Sequence, residues 1–335
     1  MTDTASPPGS WILRLGNAFS ESQALLTAAE LDLFTALRDG PETEQELCRR
    51  TGLHGRGARD FLQLLVRLGL LTCTGGRYAN TADTARHLVA GEPGYLGGFL
   101  RGARSNLYPV WGSLTDTLRT GRPQSSPDSF TAMLDDPAAL RRYAGMMDGT
   151  LRPLVPLLLD AVDWAAHHDV LDVGGCRGAL VAAVAERHPT VAGHVFDLPQ
   201  LGPVLAEHMA ASGLTDRVTF HAGDFRTDPL PAADLIVFGH VLHNWDRGQR
   251  SALVRSAFRA LRPGGLLVVH DRMLDPADPG VGNLVASLTM ALVTEEGGEY
   301  PVAELEETAR SAGFASVSAR PLGHDETLVC CHKAA

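Results

Sequence analysis

The sequence predicts an α/β chain: a parallel sheet covered by helices on both faces, preceded by a helical N-terminal part with the outline of a winged helix. Three observations carry this expectation. From about residue 169, apolar runs at 169–173, 194–196, 218–221, 234–238 and 266–270 alternate with helical stretches at 178–187, 203–212 and 248–261, the pattern of successive strand–helix units. The first run ends in a glycine turn, Asp172-Val-Gly174-Gly175-Cys176-Arg177-Gly178. Ahead of it, residues 17–80 read as helices followed by a hairpin.

Taken in order, residues 1–9 are polar, contain proline, and are expected to fray. Residues 17–38 carry Leu25, Leu26, Ala29, Leu33 and Leu37 at helical spacing, and Gly40-Pro41 stops that helix. Thr43 with Glu46 has the spacing of a capping box for a short helix ending at Gly52. Residues 56–68 place Phe61, Leu64, Leu65 and Leu68 on one side, and 69–80 form a hairpin around Gly75-Gly76. Residues 95–160 read as mostly helical, with a polar loop at 121–129. A helix at 302–312 and strand-like runs near 314–319 and 326–331 complete the sheet. The expected domains are 1–95 (winged helix), 96–160 (helical linker and acceptor-binding region) and 161–335 (cofactor-binding sheet).

Composition narrows the function. The chain has 335 residues, of which 44% are hydrophobic, enough for a substantial core. A net charge of −10 argues against nucleic acid or an anionic membrane as partner. Five cysteines, at 48, 73, 176, 330 and 331, lack metal-ligand spacing. Neither a disulfide framework nor a metal site is expected, and a cytoplasmic setting is. No secretory leader and no long apolar span is read.

The glycine turn is where a ligand meets backbone without meeting a Cβ. The second strand ends in Val195-Phe-Asp197, an acid placed to accept from both hydroxyls of a ribose. The glycines run G-G-x-x-G after the acidic Asp172, unlike the G-x-G-x-x-G that seats a pyrophosphate. An acid at that turn suits the ammonium or sulfonium of S-adenosylmethionine (SAM) and repels a diphosphate. Gly223-Asp224-Phe225 follows the third strand, with Asp224 to accept from an adenine amino group and Phe225 to stack on the ring. Leu198 and His240 complete the candidate cofactor contacts.

His243-Asn-Trp245-Asp246 follows the fourth strand, at the edge where open α/β sheets bind ligands. His243 is the candidate base for a hydroxyl acceptor. Asp271 and Glu299 are the candidate carboxylates that hold its tautomer.

These residues resemble the plant-type and bacterial small-molecule O-methyltransferases, which include caffeate, acetylserotonin and anthracycline methyltransferases. The likeness runs over nearly the whole chain: the winged-helix domain, Tyr95-Leu-Gly-Gly-Phe99, Asp172-Val-Gly-Gly175, Val195-Phe-Asp197, Gly223-Asp-Phe225, His243-Asn-Trp245, Leu261-Arg-Pro-Gly-Gly265 and Gly298-Glu299. The resemblance implies a Rossmann-like class I methyltransferase sheet, SAM as donor with S-adenosylhomocysteine as product, and a homodimer built by the N-terminal domain. It implies that Gly174 and Gly175 border the cofactor, that Asp197 binds ribose, and that Asp224 and Phe225 hold adenine. His243 falls on the family's base, Asp271 and Glu299 on the acids beside it, and Tyr143 and Met147 near cofactor and acceptor. Trp11, Ile12, Leu15, Phe19, Leu25 and Leu26 are apolar on more than one side of the N-terminal helices, a surface a partner chain would cover.

The chain departs from the family twice: Cys176 stands where a third glycine is usual, and Asn244 where an aspartate is usual. Asn106, Tyr108, Trp111, Met146 and Asn244 are the expected acceptor contacts, suited to a flat aromatic or polyketide ring from an antibiotic or other secondary-metabolite pathway. Three other readings stay open: N- or C-methylation, a non-methylating enzyme that uses SAM only as a fixed charge, and a DNA-binding winged helix. The last is opposed by the near balance of acidic and basic residues in that domain.

Overall fold

The computed structural model describes residues 7–125 and 127–335, and the chain divides into two compact units that meet between Asn106 and Leu107. The first unit runs past the expected limit at 95 because the helix Gly97–Gly102 packs on the helix Ser10–Glu30.

In the first unit, β1 (Glu42–Thr43), β2 (Leu71–Thr74) and β3 (Arg77–Asn80) form a small antiparallel sheet in the order β1-β3-β2, the wing. The capping box forms as expected: Thr43 Oγ1 accepts from the Glu46 amide while Glu46 Oε2 accepts from the Thr43 amide at 2.7 Å. Leu33, Phe34, Leu47, Leu62 and Leu65 make the core. The first helix starts at Ser10 rather than 17. Residues 10–16 carry no one-sided apolar pattern, because Trp11, Ile12, Leu13 and Leu15 are all exposed. The expected helix over 17–38 is broken at Asp32, whose φ of 49° is left-handed. The reading of residues 1–6 falls outside the described part.

In the second unit, β4 (Asp169–Val173), β5 (Ala192–Asp197), β6 (Val218–Ala222), β7 (Ala233–Gly239), β8 (Leu261–Asp271), β9 (Ser316–Leu322) and β10 (Glu326–His332) form one sheet in the order β6-β5-β4-β7-β8-β10-β9. The first five strands pair in parallel, and β10 runs antiparallel to both β8 and β9. Both faces are covered. Leu171, Val173, Ile236, Phe238 and Val269 pack on one side, and Val170, Val195, Leu235, Val237 and Val268 on the other. That two-sided burial is why these strands read as continuous apolar runs and not as alternation. The chain moves outward from β4 through β5 and β6, then returns to place β7 on the other side of β4. This reversal makes the carboxyl ends of β4 and β7 a topological switch point, where such sheets bind ligands.

Two segments differ from the sequence expectation. The polar loop at 121–129 is shorter, since a helix Pro127–Asp135 begins within it. The amides of Gln124 and Ser125 both donate to the Leu292 carbonyl, so this loop closes the end of a helix, Val281–Val293, that the sequence reading did not name. Val281–Val293 is apolar on several sides, with Leu292 buried and Val281, Leu284 and Val285 exposed, so it offered no clean helical stripe.

Candidate active site

The turn after β4 is built for close approach. Gly174 has φ 73°, and a Cβ there would lie 2.8 Å from Val241 Cγ2. A Cβ on Gly175 would lie 2.6 Å from Asp172 Oδ2. Replacing Gly174 by alanine therefore meets strain and overlap together, and we expect a loss of about 1–3 kcal/mol in chemical denaturation. Cys176 adopts φ 53°, the left-handed region a glycine would occupy without strain.

The turn is tied to Asp197 at the tip of β5. The Cys176 amide donates to Asp197 Oδ2 at 2.8 Å, and the Leu198 amide to Oδ1 at 2.7 Å. Burial pushes the Asp197 carboxyl up to about 6, against those two backbone donors. Burial pushes Asp172 up to about 7, with the nearby Asp197 charge adding to it. These two buried carboxyls lie beside a bare glycine backbone. Once ionised, Asp172 could hold the positive charge of SAM, and Asp197 could accept from its ribose.

Other expected cofactor residues gather at the same strand tips. Gly223 donates its amide to the Asp197 carbonyl at 3.0 Å, and a Cβ there would lie 2.5 Å from Phe196 Cζ. Phe225 lies near Gly174 and meets Trp245 edge to face at 6.1 Å. Asp224 is paired with Arg226 at 2.7 Å, and the Arg226 guanidinium sits over the Trp245 ring at 5.1 Å. Tyr143, Cys176 and Leu198 pack on one small cluster with Leu201 and Val204. This brings the helix Pro137–Leu151 onto the cofactor turn. Burial raises the Tyr143 hydroxyl and the Cys176 thiol above their ordinary values, so both stay protonated. Arg177, inside the turn, donates through Nε to Asp148 of that helix at 2.5 Å.

The acid–base centre lies beyond the tip of β7. His243 is buried, and its Nδ1 is 2.8 Å from Glu299 Oε1. Asp271 Oδ1 is farther, at 3.8 Å, and its other oxygen accepts from the Tyr300 hydroxyl at 2.7 Å. Glu299 is thus the direct partner, and Asp271 acts through space. Burial opposes the charged imidazole, but Asp271 and Glu299 outweigh it and the His243 pKa is raised. Burial pushes Asp271 up to about 6, with His243 working against it. The loop holding Glu299 is stitched to the histidine: the Gly298 amide donates to the His243 carbonyl at 2.8 Å. With Nδ1–H donating to Glu299, Nε2 is left without a proton in the neutral ring.

The remaining expected residues fall as follows. His240 has φ 54°, and its ring packs edge-on against His243 and His270. Asn244 Nδ2 donates to the carbonyls of His240 and Val241 at 3.0 and 3.2 Å, bracing the turn from within. Met146 is buried and Met147 half-buried on the helix Pro137–Leu151. Tyr108 and Trp111 are half-buried on Tyr108–Trp111, which packs on Val281–Val293. Asn106 is exposed and ends the first unit. Tyr300 and Arg226 were missed by the sequence reading. Each sits next to, or two residues from, a residue already singled out, which was the available signal.

Comparison with known proteins places this geometry. Residues 111–315 match the model of an O-methyltransferase domain, and residues 13–90 that of an O-methyltransferase dimerisation domain. The chain is 43% identical to the tetracenomycin polyketide synthesis 8-O-methyl transferase TcmO of Streptomyces glaucescens, over 96% of both chains. It is 39% identical to the N,N-dimethyltransferase OxyT of Streptomyces rimosus, over 90% of both. Among solved structures, human N-acetylserotonin methyltransferase in complex with SAM matches with a TM-score of 0.92 at 27% identity, covering 100% of both chains.

Proposed function

Because the chain belongs to the O-methyltransferase family and is a SAM-dependent methyltransferase, we propose that it methylates a phenolic hydroxyl on a fused-ring polyketide, with His243 as the base. The observation that carries this reading is the buried His243–Glu299 pair at 2.8 Å, on the same sheet edge as the Gly174–Asp197 seat. The similarity to TcmO supports the class of acceptor.

When bound, SAM supplies an electrophilic methyl carbon on a sulfonium. Gly174 and Gly175 give it backbone, Asp172 faces its positive charge, Asp197 takes the ribose, and Asp224 with Phe225 takes the adenine. A free phenol has a pKa of about 10 and a free imidazole about 6.5, so His243 does not ionise the acceptor in advance. Its Nε2 takes the proton as the oxygen acquires the methyl group and becomes acidic. Glu299 holds the ring and stabilises the imidazolium that results, with Asp271 adding charge. Alignment of oxygen, carbon and sulfur supplies the remainder of the acceleration. The test is to incubate enzyme, SAM and a hydroxylated polycyclic aromatic, and to measure S-adenosylhomocysteine and methyl ether together. One S-adenosylhomocysteine per methyl ether supports the reading; product without it overturns it.

The similarity to OxyT favours a second reading, an amine acceptor. An amino-substituted analogue distinguishes the two: methylation of the amine and not of the phenol transfers the assignment to nitrogen, where His243 instead removes a proton from an ammonium.

We further propose a homodimer formed through the dimerisation domain. Trp11, Leu13, Leu15 and Phe19 are exposed in the single chain, Trp11 at 61% and Phe19 at 58%, more large apolar surface than one helix normally leaves in water. The double substitution Leu15→Glu with Phe19→Glu is expected to shift the dimer to monomer in light scattering. An unchanged mass would reject this surface. All five cysteines are free thiols, which supports the cytoplasm as the working compartment. No helix among the described residues is long and apolar enough to cross a membrane.

A further inference from the structure

Next to His243, on β8, on β10 and just after β7, lies a group of polar side chains, two of them buried, to which the proposed mechanism gives no role. His270 is 1% exposed and Glu326 6% exposed, and His240 completes the group at the end of β7. Their ligand atoms all lie within 4.8 Å of one another.

The backbone explains the convergence. His270 of β8 is opposite Gly239 of β7 on one side and Leu328 of β10 on the other. Glu326 is two residues from Leu328, so it shares the face of the sheet that His270 uses. A Cβ on Gly239 would lie 2.2 Å from His270 Nε2, so the imidazole lies across a position only glycine leaves free. His240 follows Gly239 directly, and its left-handed φ of 54° turns the ring toward the other two. Such strain in a non-glycine residue is found where side-chain aim matters.

The polar atoms are not satisfied among themselves. His240 Nε2, His270 Nδ1 and Glu326 Oε2 are buried without a hydrogen-bond partner. His240 Nε2 lies at ion-pair distance from Glu326 Oε1, 3.2 Å. Oε1 is already taken by Arg272 Nε at 3.1 Å, which leaves Oε2 over. Each orphaned buried group costs about 1–3 kcal/mol, and three on residues of one cluster call for a common partner.

We propose that His240, His270 and Glu326 bind a divalent transition-metal ion, zinc being the probe, as a clip between the tip of β7 and the C-terminal hairpin β9–β10. Two imidazoles and a carboxylate are the donor set such an ion takes, and hard ions such as magnesium prefer oxygen alone. Zinc–ligand bonds of about 2.0–2.2 Å set the donors about 3.4 Å apart, so a pair at the 4.8 Å limit closes by about 1.4 Å on binding. A dication also offsets the carboxylates of Asp271, Glu299 and Glu326, which share this buried region with Arg272. The ion lies behind His243 and holds the strand end that carries it; it takes no part in activating the acceptor.

The test uses the tag-free full chain, stripped with a chelator and titrated with zinc against a chromophoric competitor, with metal content checked by mass spectrometry. One zinc per chain is expected, together with a rise in melting temperature. Glu326→Gln and His270→Gln are expected to weaken binding by about 100-fold or more and to lose the thermal shift. His194→Gln, at the His194–His221 contact elsewhere in the sheet, is expected to change neither. Failure of the parent chain to bind zinc at micromolar concentration overturns the proposal. So does binding that survives both ligand variants, or binding lost with His194→Gln. Should the ligand variants not fold, cobalt in the parent chain decides: visible ligand-field bands without a thiolate charge-transfer band support the site, and a featureless spectrum or a thiolate band rejects it.

Discussion

Alanine at position 243 is expected to lower kcat by about 10²–10⁴-fold while the Kd for SAM stays near its parent value. The range is what a positioned base contributes, and the separation follows from geometry. His243 is anchored to Glu299 across 2.8 Å, whereas the proposed cofactor seat is built on Asp172, Gly174, Gly175 and Asp197. Stopped-flow turnover with SAM binding by calorimetry measures both. Glu299→Gln is expected to fall between parent and His243→Ala. It keeps a partner for Nδ1 but removes the charge that stabilises the imidazolium. An alanine variant with full turnover would mean that alignment alone moves the methyl group, and the base assignment would fail.

The affinity for SAM is expected to rise with pH between about 5.5 and 8, by roughly tenfold or more. Burial holds Asp172 up to about 7 and Asp197 up to about 6, so the empty site is largely protonated at the acid end of this range. A bound cation favours the ionised form, and binding in acid must therefore expel protons. The sign for stability is the opposite. A folded pKa raised above the unfolded value of about 3.9 stabilises the free protein fully below that value, and the contribution is lost as pH rises through about 7. SAM should therefore raise the melting temperature more at about pH 8 than at about pH 5.5. Asp172→Asn is expected to flatten the upper part of the dependence. Asp197→Ala should cost about 100-fold in affinity, the equivalent of one or two charge-assisted hydrogen bonds. Calorimetry across this pH range checks all three, and a flat profile in the parent chain would show that Asp172 does not face the sulfonium.

The parts legible in the sequence were those whose signal is local. The runs at 169–173 and 234–238 became β4 and β7 because strands buried on both faces must be apolar throughout. Asp172-Val-Gly-Gly175 revealed the turn after β4 because a tight strand-to-helix turn needs glycine at fixed positions. The helix Val281–Val293 was not legible, since apolar residues on several of its sides, some exposed, give no clean period. The domain limit at 95 moved to Asn106 because one helix packs on another far away in the chain.

The sequence by itself determined the succession of strands along the chain, the glycine turn and the place of His243 just after a strand, each set by neighbours within a few residues. Tertiary structure alone decided which carboxylate that histidine uses, that Asn244 braces the turn from within, and that His240, His270 and Glu326 converge. Those choices join residues as many as 86 positions apart, as His240 and Glu326 are. They depend on strand register and loop closure, which no local pattern encodes.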